Sequence, residues 1–160
     1  MKTLLVLRHA KSPHPADVDD HDRPLFPGAR GQIADLARQL ADRGLIPGTV
    51  LSSDAVRAAD TARAYSLAVA AVEPVLLGEF YEPGAPEDML EAIQDRGGET
   101  GVVLVVGHNP GMEEFCNLLT KRPEVDRLGT GMLAVFEVGI DSWSELRFKQ
   151  ARLKDLIPSH

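Results

Sequence analysis

The sequence predicts an α/β fold, a three-layer α/β/α sandwich with a mainly parallel central sheet, and three observations predict it. Short apolar runs end abruptly at polar or glycine residues: Leu4–Leu7 before Arg8-His9, Val50-Leu51 before Ser52-Ser53, and Val102–Val106 before Gly107-His108. Their positions are apolar consecutively rather than alternately, as strands covered on both faces require. Segments with helical spacing lie between them, and strands that alternate with helices build parallel crossover units. The chain has 160 residues, of which 44% are hydrophobic and 26% charged. That is a globular composition at the size of one ordinary domain, so one domain over 1–160 is expected. No internal repeat, low-complexity tract or linker divides it.

Taken in order, Leu4–Leu7 reads as a buried strand whose end is a natural site position. From Lys11 to Gly28 the chain carries Pro13, Pro15, Pro24 and Pro27 among Asp17, Asp19, Asp20 and Asp22. That composition cannot continue a helix or central strand and reads as a long surface loop, a candidate lid. Ile33, Leu36, Ala37 and Leu40 repeat at helical spacing and predict a helix over 29–43, stopped by Gly44. A strand follows at Val50–Ser52, then a helix to Ala68 capped by Ser53 or Asp54 with Arg57 in its first turn. Val72–Leu77 reads as a further strand and Pro86–Arg96 as a helix. Val102–Val106 is the clearest central strand, followed by Asn109 as N-cap and Pro110 at the first position of a helix to Thr120. Met132–Val138 and Trp143–Gln150 read as an antiparallel terminal pair. Leu76, Leu77, Phe80 and Tyr81 are expected in the core or a pocket wall, and His160 is expected to fray.

Composition excludes several classes. Lysine and arginine total 17 against 24 aspartate and glutamate, a net charge of -7 that argues against a nucleic-acid surface. The longest apolar run falls far short of the roughly 20 residues that span a bilayer, and the residues after Met1 lack the length of a signal-peptide core. A cytoplasmic protein with no membrane partner is expected. The lone Cys116 allows no internal disulfide or multi-cysteine metal site, and its apolar helical surroundings place it in the core. His14 and His21 among the loop aspartates match neither an EF-hand nor a tetrahedral zinc pattern, so no metal site is read there. Negative charge at that position would disfavour highly anionic substrates or select a protein partner by complementarity.

Three predicted strand ends deliver Arg8, His9, Arg57 and His108. In α/β sheets ligands bind at the carboxyl ends of strands, where these residues lie. A phosphoryl group spreads negative charge over several oxygens, and arginine forks match it with paired donors, so such a set can bind phosphate with no metal or other cofactor. A neutral imidazole, with a pKa near 6.5, is a competent nucleophile around pH 7.

Leu-Arg-His-Ala at 7–10, Ser-Ser-Asp-Ala-Val-Arg-Ala-Ala-Asp-Thr-Ala at 52–62 and Val-Gly-His-Asn-Pro-Gly at 106–111 resemble the histidine phosphatase superfamily in order and spacing. Arg8-His9-Ala10, the short chain and Asp22-Arg23-Pro24-Leu25 look most like its small phosphohistidine phosphatase branch, typified by SixA. The resemblance runs from about residue 3 to 115 and weakens toward the C-terminus. It implies a phosphoglycerate mutase-like fold and a phosphatase that carries the phosphoryl group on His9. Arg8, Arg57 and His108 would then bind the equatorial oxygens, His108 best as imidazolium. Arg23 would close over bound phosphate, or else be a surface arginine paired with Asp20 or Asp22. Glu79 falls where larger relatives place a proton-donating glutamate, with Glu82 as its neighbour and competitor. A phosphohistidine substrate weakens the need for any such acid. Asn109 has an account as a helix cap, and Ser53 as a cap or a hydrogen-bond donor.

The implied activity is metal-independent hydrolysis of a phosphorylated protein (phosphohistidine) or a small phosphorylated metabolite. A small-metabolite phosphomonoesterase and a non-catalytic phosphate-binding module remain the alternatives. A mutase is disfavoured because the chain lacks the long insertions of mutase relatives, and a monomer is expected.

Overall fold

The three apolar runs become the middle of a six-stranded sheet in a computed structural model that describes residues 1–159. The strands are β1 (Lys2–Arg8), β2 (Thr49–Ser53), β3 (Val75–Leu77), β4 (Val102–Gly107), β5 (Leu133–Val138) and β6 (Arg152–Ile157), with spatial order β3-β2-β4-β1-β5-β6. The first four in that order are mutually parallel, and β5 and β6 add an antiparallel edge. The helices are α1 (Ala29–Asp42), α2 (Val56–Ala68), α3 (Pro86–Arg96) and α4 (Gly111–Leu119).

Successive strand residues point to opposite faces, and each face needs its own cover. Leu5 and Leu7 of β1 pack with Ile33, Leu36, Ala37 and Leu40 of α1 and Tyr65 of α2. Leu4 and Val6 pack with Met89 and Ile93 of α3, Phe115 of α4, and Phe136 and Trp143. Both faces being covered is why the runs show no polar alternation. Register then fixes the site: Arg8 pairs with Gly107, and Ser52 with Val106, so the polar residues that follow β1, β2 and β4 leave the sheet at one edge.

The C-terminal segment differs from expectation. Trp143–Gln150 is not a strand; Trp143–Glu145 is one 3-10 turn, and the sixth strand is Arg152–Ile157. Trp143 is fully buried beside α3, its Cβ close against Gly97, and its indole N–H donates to the Thr100 carbonyl at 2.7 Å. The aromatic and apolar content of 143–148 reflects a plug under the sheet. The true strand reads poorly because it is an edge, with Arg152 and Lys154 beside Glu137 at 3.4 and 3.5 Å.

Smaller differences have local causes. The third strand begins at Val75 rather than Val72, directly after Pro74, and its Val75 and Leu76 are exposed. α4 begins at Gly111, with Pro110 in the capping position, and Asn109 still serves the helix start: its Oδ1 accepts from the Glu113 N–H at 3.2 Å. Ser53 Oγ accepts from the Ala55 N–H at 3.1 Å and does not cap α2. Leu77 and Phe80 are buried, and so is Cys116, whose thiol burial pushes up to about 12. Among the described residues no helix is long and apolar enough to cross a membrane. His160 lies outside the described residues.

Candidate active site

At the end of β1 the backbone of His9 extends the ladder by one bond, its N–H donating to the Gly107 carbonyl at 3.1 Å. The residue is 5% exposed, and its Nδ1 lies 2.7 Å from the Ala10 carbonyl. A carbonyl only accepts, so Nδ1 carries the proton and Nε2 is left with a free lone pair. Arg57 comes from the first turn of α2, and Thr61 ties that helix to β1. The Thr61 hydroxyl accepts the Ala10 N–H at 3.0 Å and donates to the Arg57 carbonyl at 2.7 Å. His108, just past β4, sets its ring centroid 5.1 Å from that of His9. The structure thus brings His9, Arg57 and His108 together, with Arg8 one residue before His9 and donating to the Leu128 carbonyl at 3.4 Å.

Electrostatics follow from burial. Desolvation, together with the nearby positive Arg57, Arg8 and Arg23, lowers His9 to about 4, although its bond to Ala10 opposes this. Desolvation, His9 and Arg57 lower His108 to about 3. Both rings are therefore neutral at pH 7. The imidazolium expected of His108 belongs to a bound phosphoryl group, whose negative charge would favour the protonated ring that burial here opposes. His108 Nε2 lies within hydrogen-bond distance of Ser53 Oγ at 2.8 Å, and that hydroxyl also accepts the Ala55 N–H. The other ring nitrogen, Nδ1, makes no hydrogen bond. It is buried without a partner, as are Arg8 Nε and Arg57 Nε.

Arg23 is largely buried at 11% side-chain exposure, anchored by its Nε to the Pro13 carbonyl at 3.0 Å and by Nη2 to Ser12 at 3.3 Å. Its Nη1 meets Asp20 at 2.9 Å. Of its two readings, the aspartate pairing is present, but as an anchored contact rather than a solvated one. Asp22 instead lies beside His21, which also contacts Asp54 at 3.0 Å. The sequence reading gives Thr61 no role, Tyr81 only a place in the core or a pocket wall, and Asp20 only a surface pairing with Arg23. Asp20 accepts from Arg57, Arg23 and Tyr81 at once. Its one sequence signal was its position three residues before Arg23 in the proline-bounded loop.

Glu79 is not brought to this cluster. It is exposed in the 3-10 turn Gly78–Phe80 and lines a separate hollow with Asp88, Glu91 and Asp95 along α3. The turn buries Phe80 in the core, which faces its neighbour outward. Glu82 is exposed, close enough to Tyr81 to influence its hydroxyl. A hollow of about 340 Å³ opens beside His108, bordered by Tyr81, Gly84, Glu87, Asn109 and Glu114.

Two arginines and two histidines thus meet at the carboxyl edge of a parallel sheet, where α/β folds bind their ligands, and arginine forks of this kind suit an anionic group. The family model of the histidine phosphatase superfamily (branch 1) matches residues 4–96, and the chain belongs to that superfamily. By class it is a phosphatase. Among solved structures, the putative phosphohistidine phosphatase SixA from Agrobacterium tumefaciens superposes with a TM-score of 0.80 at 27% identity, covering 98% of this chain and 97% of the other. The putative SixA from Nakamurella multipartitia gives 0.80 at 25% identity, covering 99% and 96%. The fold is thus the phosphoglycerate mutase-like one. Among sequence relatives, an uncharacterized chloroplastic protein of Arabidopsis thaliana is 28% identical over 90% of this chain and 70% of its own length. An uncharacterized protein of Mycobacterium tuberculosis is 34% identical over 65% of this chain and 63% of its own.

Proposed function

We propose that the chain is a phosphohistidine phosphatase that works through a covalent phosphoryl group on His9, without a metal. The observation that carries this is the state of His9: Nδ1 is engaged by Ala10, Nε2 is unprotonated, and cationic Arg57 and Arg8 stand beside it. The Nε2 lone pair attacks phosphorus, and the bond from phosphorus to the leaving nitrogen breaks. Water then attacks the phosphoryl group on His9, releasing inorganic phosphate and returning the neutral ring. Arg8, Arg57 and His108 stabilise the charge on the equatorial oxygens, with donors held in a desolvated site.

Phosphohistidine is favoured over an ester because of proton supply. The carboxylate that reaches the arginines is Asp20, and hydrogen bonds from Tyr81, Arg23 and Arg57 hold it well below the usual carboxylate range. It is poorly placed to protonate an alkoxide. An imidazole protonated on its far nitrogen leaves as a neutral ring and needs no such help. The two SixA structures at 27% and 25% identity support the same substrate class.

The test is phosphate release from a phosphohistidine-bearing protein with chelator present, comparing wild type with His9→Ala. Release by wild type alone is the expected result, with the variant still folded because His9 follows the apolar run rather than forming part of it. Full activity in the variant, or release from neither protein alongside turnover of small phosphate esters, would overturn the reading.

A further inference from the structure

The guanidinium pocket is already occupied by an anion from the same chain. The Asp20 carboxylate accepts from Tyr81 Oη at 2.7 Å, Arg23 Nη1 at 2.9 Å and Arg57 Nη2 at 3.1 Å. The Asp20 carbonyl takes Arg57 Nη1 at 2.7 Å. Both terminal nitrogens of Arg57 are therefore spent on one residue of the loop. That residue is lightly held by everything else. Its side chain is 53% exposed, and the 3-10 turn Asp20–Asp22 that carries it contains no buried residue. The turn's other bonds are two backbone contacts, from Asp22 N–H to Asp19 at 2.9 Å and Arg23 N–H to Asp20 at 3.2 Å, and the His21 contact to Asp54 at 3.0 Å on the surface. Lifting it exposes no core.

The carboxylate also fits the pocket incompletely. Arg8 Nε, Arg57 Nε and His108 Nδ1 remain buried and unpartnered. Unsatisfied buried donors are costly, and a planar group with two oxygens cannot serve donors on several sides. A phosphoryl group presents three oxygens in a pyramid and up to two negative charges.

We infer that Asp20 is a tethered competitor for the phosphoryl site: in the empty enzyme its carboxylate holds the Arg57 donors, and an anion binds only by displacing it. The inference rests on Arg57 belonging to the phosphoryl pocket, as proposed above. A side chain on a short loop competes at an effective concentration on the order of millimolar, so the apparent affinity for any ligand falls by the fraction of molecules that are open. Asp20 thus sets which anions are accepted, admitting those that hold Arg57 and Arg23 strongly enough to displace it. The competing account, in which Asp20 only orients Arg57, predicts the opposite sign on its removal.

The experiment titrates inorganic phosphate into wild type, Asp20→Asn and Asp22→Asn, each shown to be folded by thermal melting. The expected result is about tenfold tighter binding by Asp20→Asn, with Asp22→Asn near wild type because Asp22 does not touch the arginines. Weaker or unchanged binding by Asp20→Asn would overturn the inference, and so would equal tightening by Asp22→Asn, which would make the effect one of net charge. Hydrogen exchange on wild type gives an independent reading. Saturating phosphate should speed exchange at the Asp22 and Arg23 amides as the turn lifts, and slower exchange there would count against displacement. Tighter phosphate binding by Asp20→Asn without any hydrolysis by wild type would sink the phosphatase reading and leave the competitor standing. Binding by none of the proteins would remove the phosphoryl pocket itself.

Discussion

Arg57 shows how one residue acquires a role through its neighbours. Its side chain is 7% exposed, its charge is met by a residue of a distant loop, and its carbonyl anchors the threonine that fixes Ala10 beside His9. Removing the guanidinium should weaken phosphate binding and turnover together. By comparison with oxyanion donors, Arg57→Ala is expected to lose about 2–4 kcal/mol of transition-state stabilisation. Steady-state kinetics and phosphate titration check this, and an unchanged rate and affinity would place Arg57 outside the pocket. Glu79 is the contrasting case. It lines a hollow along α3 apart from the arginine and histidine cluster, and Glu79→Gln is expected to leave phosphohistidine turnover unchanged. A large fall in kcat would return Glu79 to the mechanism.

Among elements, the start of α4 is the tightest junction of the site. A Cβ on Gly111 would run into the Gly84 carbonyl oxygen, so the segment carrying Tyr81 packs on α4 with no side chain between them. The same contact shapes the hollow beside His108, which both segments border. Gly111→Ala must push the two apart. Overpacking of this kind costs about 1–3 kcal/mol, and the variant is expected to melt earlier and to raise KM. Equal stability and kinetics would mean that the loop yields freely. On the opposite side of the site, the loop that carries Asp20 and Arg23 shows the reverse design. Arg23 is pinned to backbone at Ser12 and Pro13, while the Asp20 turn buries no residue and is held by bonds from Arg57, Arg23 and Tyr81 and by the His21–Asp54 contact.

For the whole molecule, burying two histidines makes stability depend on pH. His9 and His108 titrate near 4 and 3 in the folded chain, against about 6.5 unfolded. Between those limits the unfolded chain holds more protons, so stability is full above about pH 6.5 and falls on acidification toward pH 4. The slope is at most about 1.4 kcal/mol per pH unit for each histidine. Asp20, held low, adds a loss of the same sign at still lower pH. His21, raised chiefly by Asp54, acts in the opposite direction, but at 40% exposure its contribution is small. Urea midpoints at pH 7, 6 and 5 should decrease in that order, and replacing both buried histidines with asparagine should flatten the trend. A rise on acidification would mean that the folded pocket holds protonated histidines.

Most of the parallel half of the fold was legible in the sequence, because a strand buried on both faces has to be apolar at every position and its end is marked where polarity returns. The same rule exposed Arg8, His9, Arg57 and His108, each of which lies at such an end or in the helix turn that follows it. The antiparallel edge was not legible. Arg152–Ile157 is polar because it borders solvent, and Trp143 resembled part of a strand because buried turns and buried strands use the same residues. The sequence by itself determined which side chains leave the sheet at one edge, since strand period and run length fix that locally. Only the tertiary structure decided their protonation, their partners and the presence of Asp20 among them. Those depend on burial and on contacts between residues far apart in the chain, such as Asp20 with Arg57 and Tyr81, which no local pattern encodes.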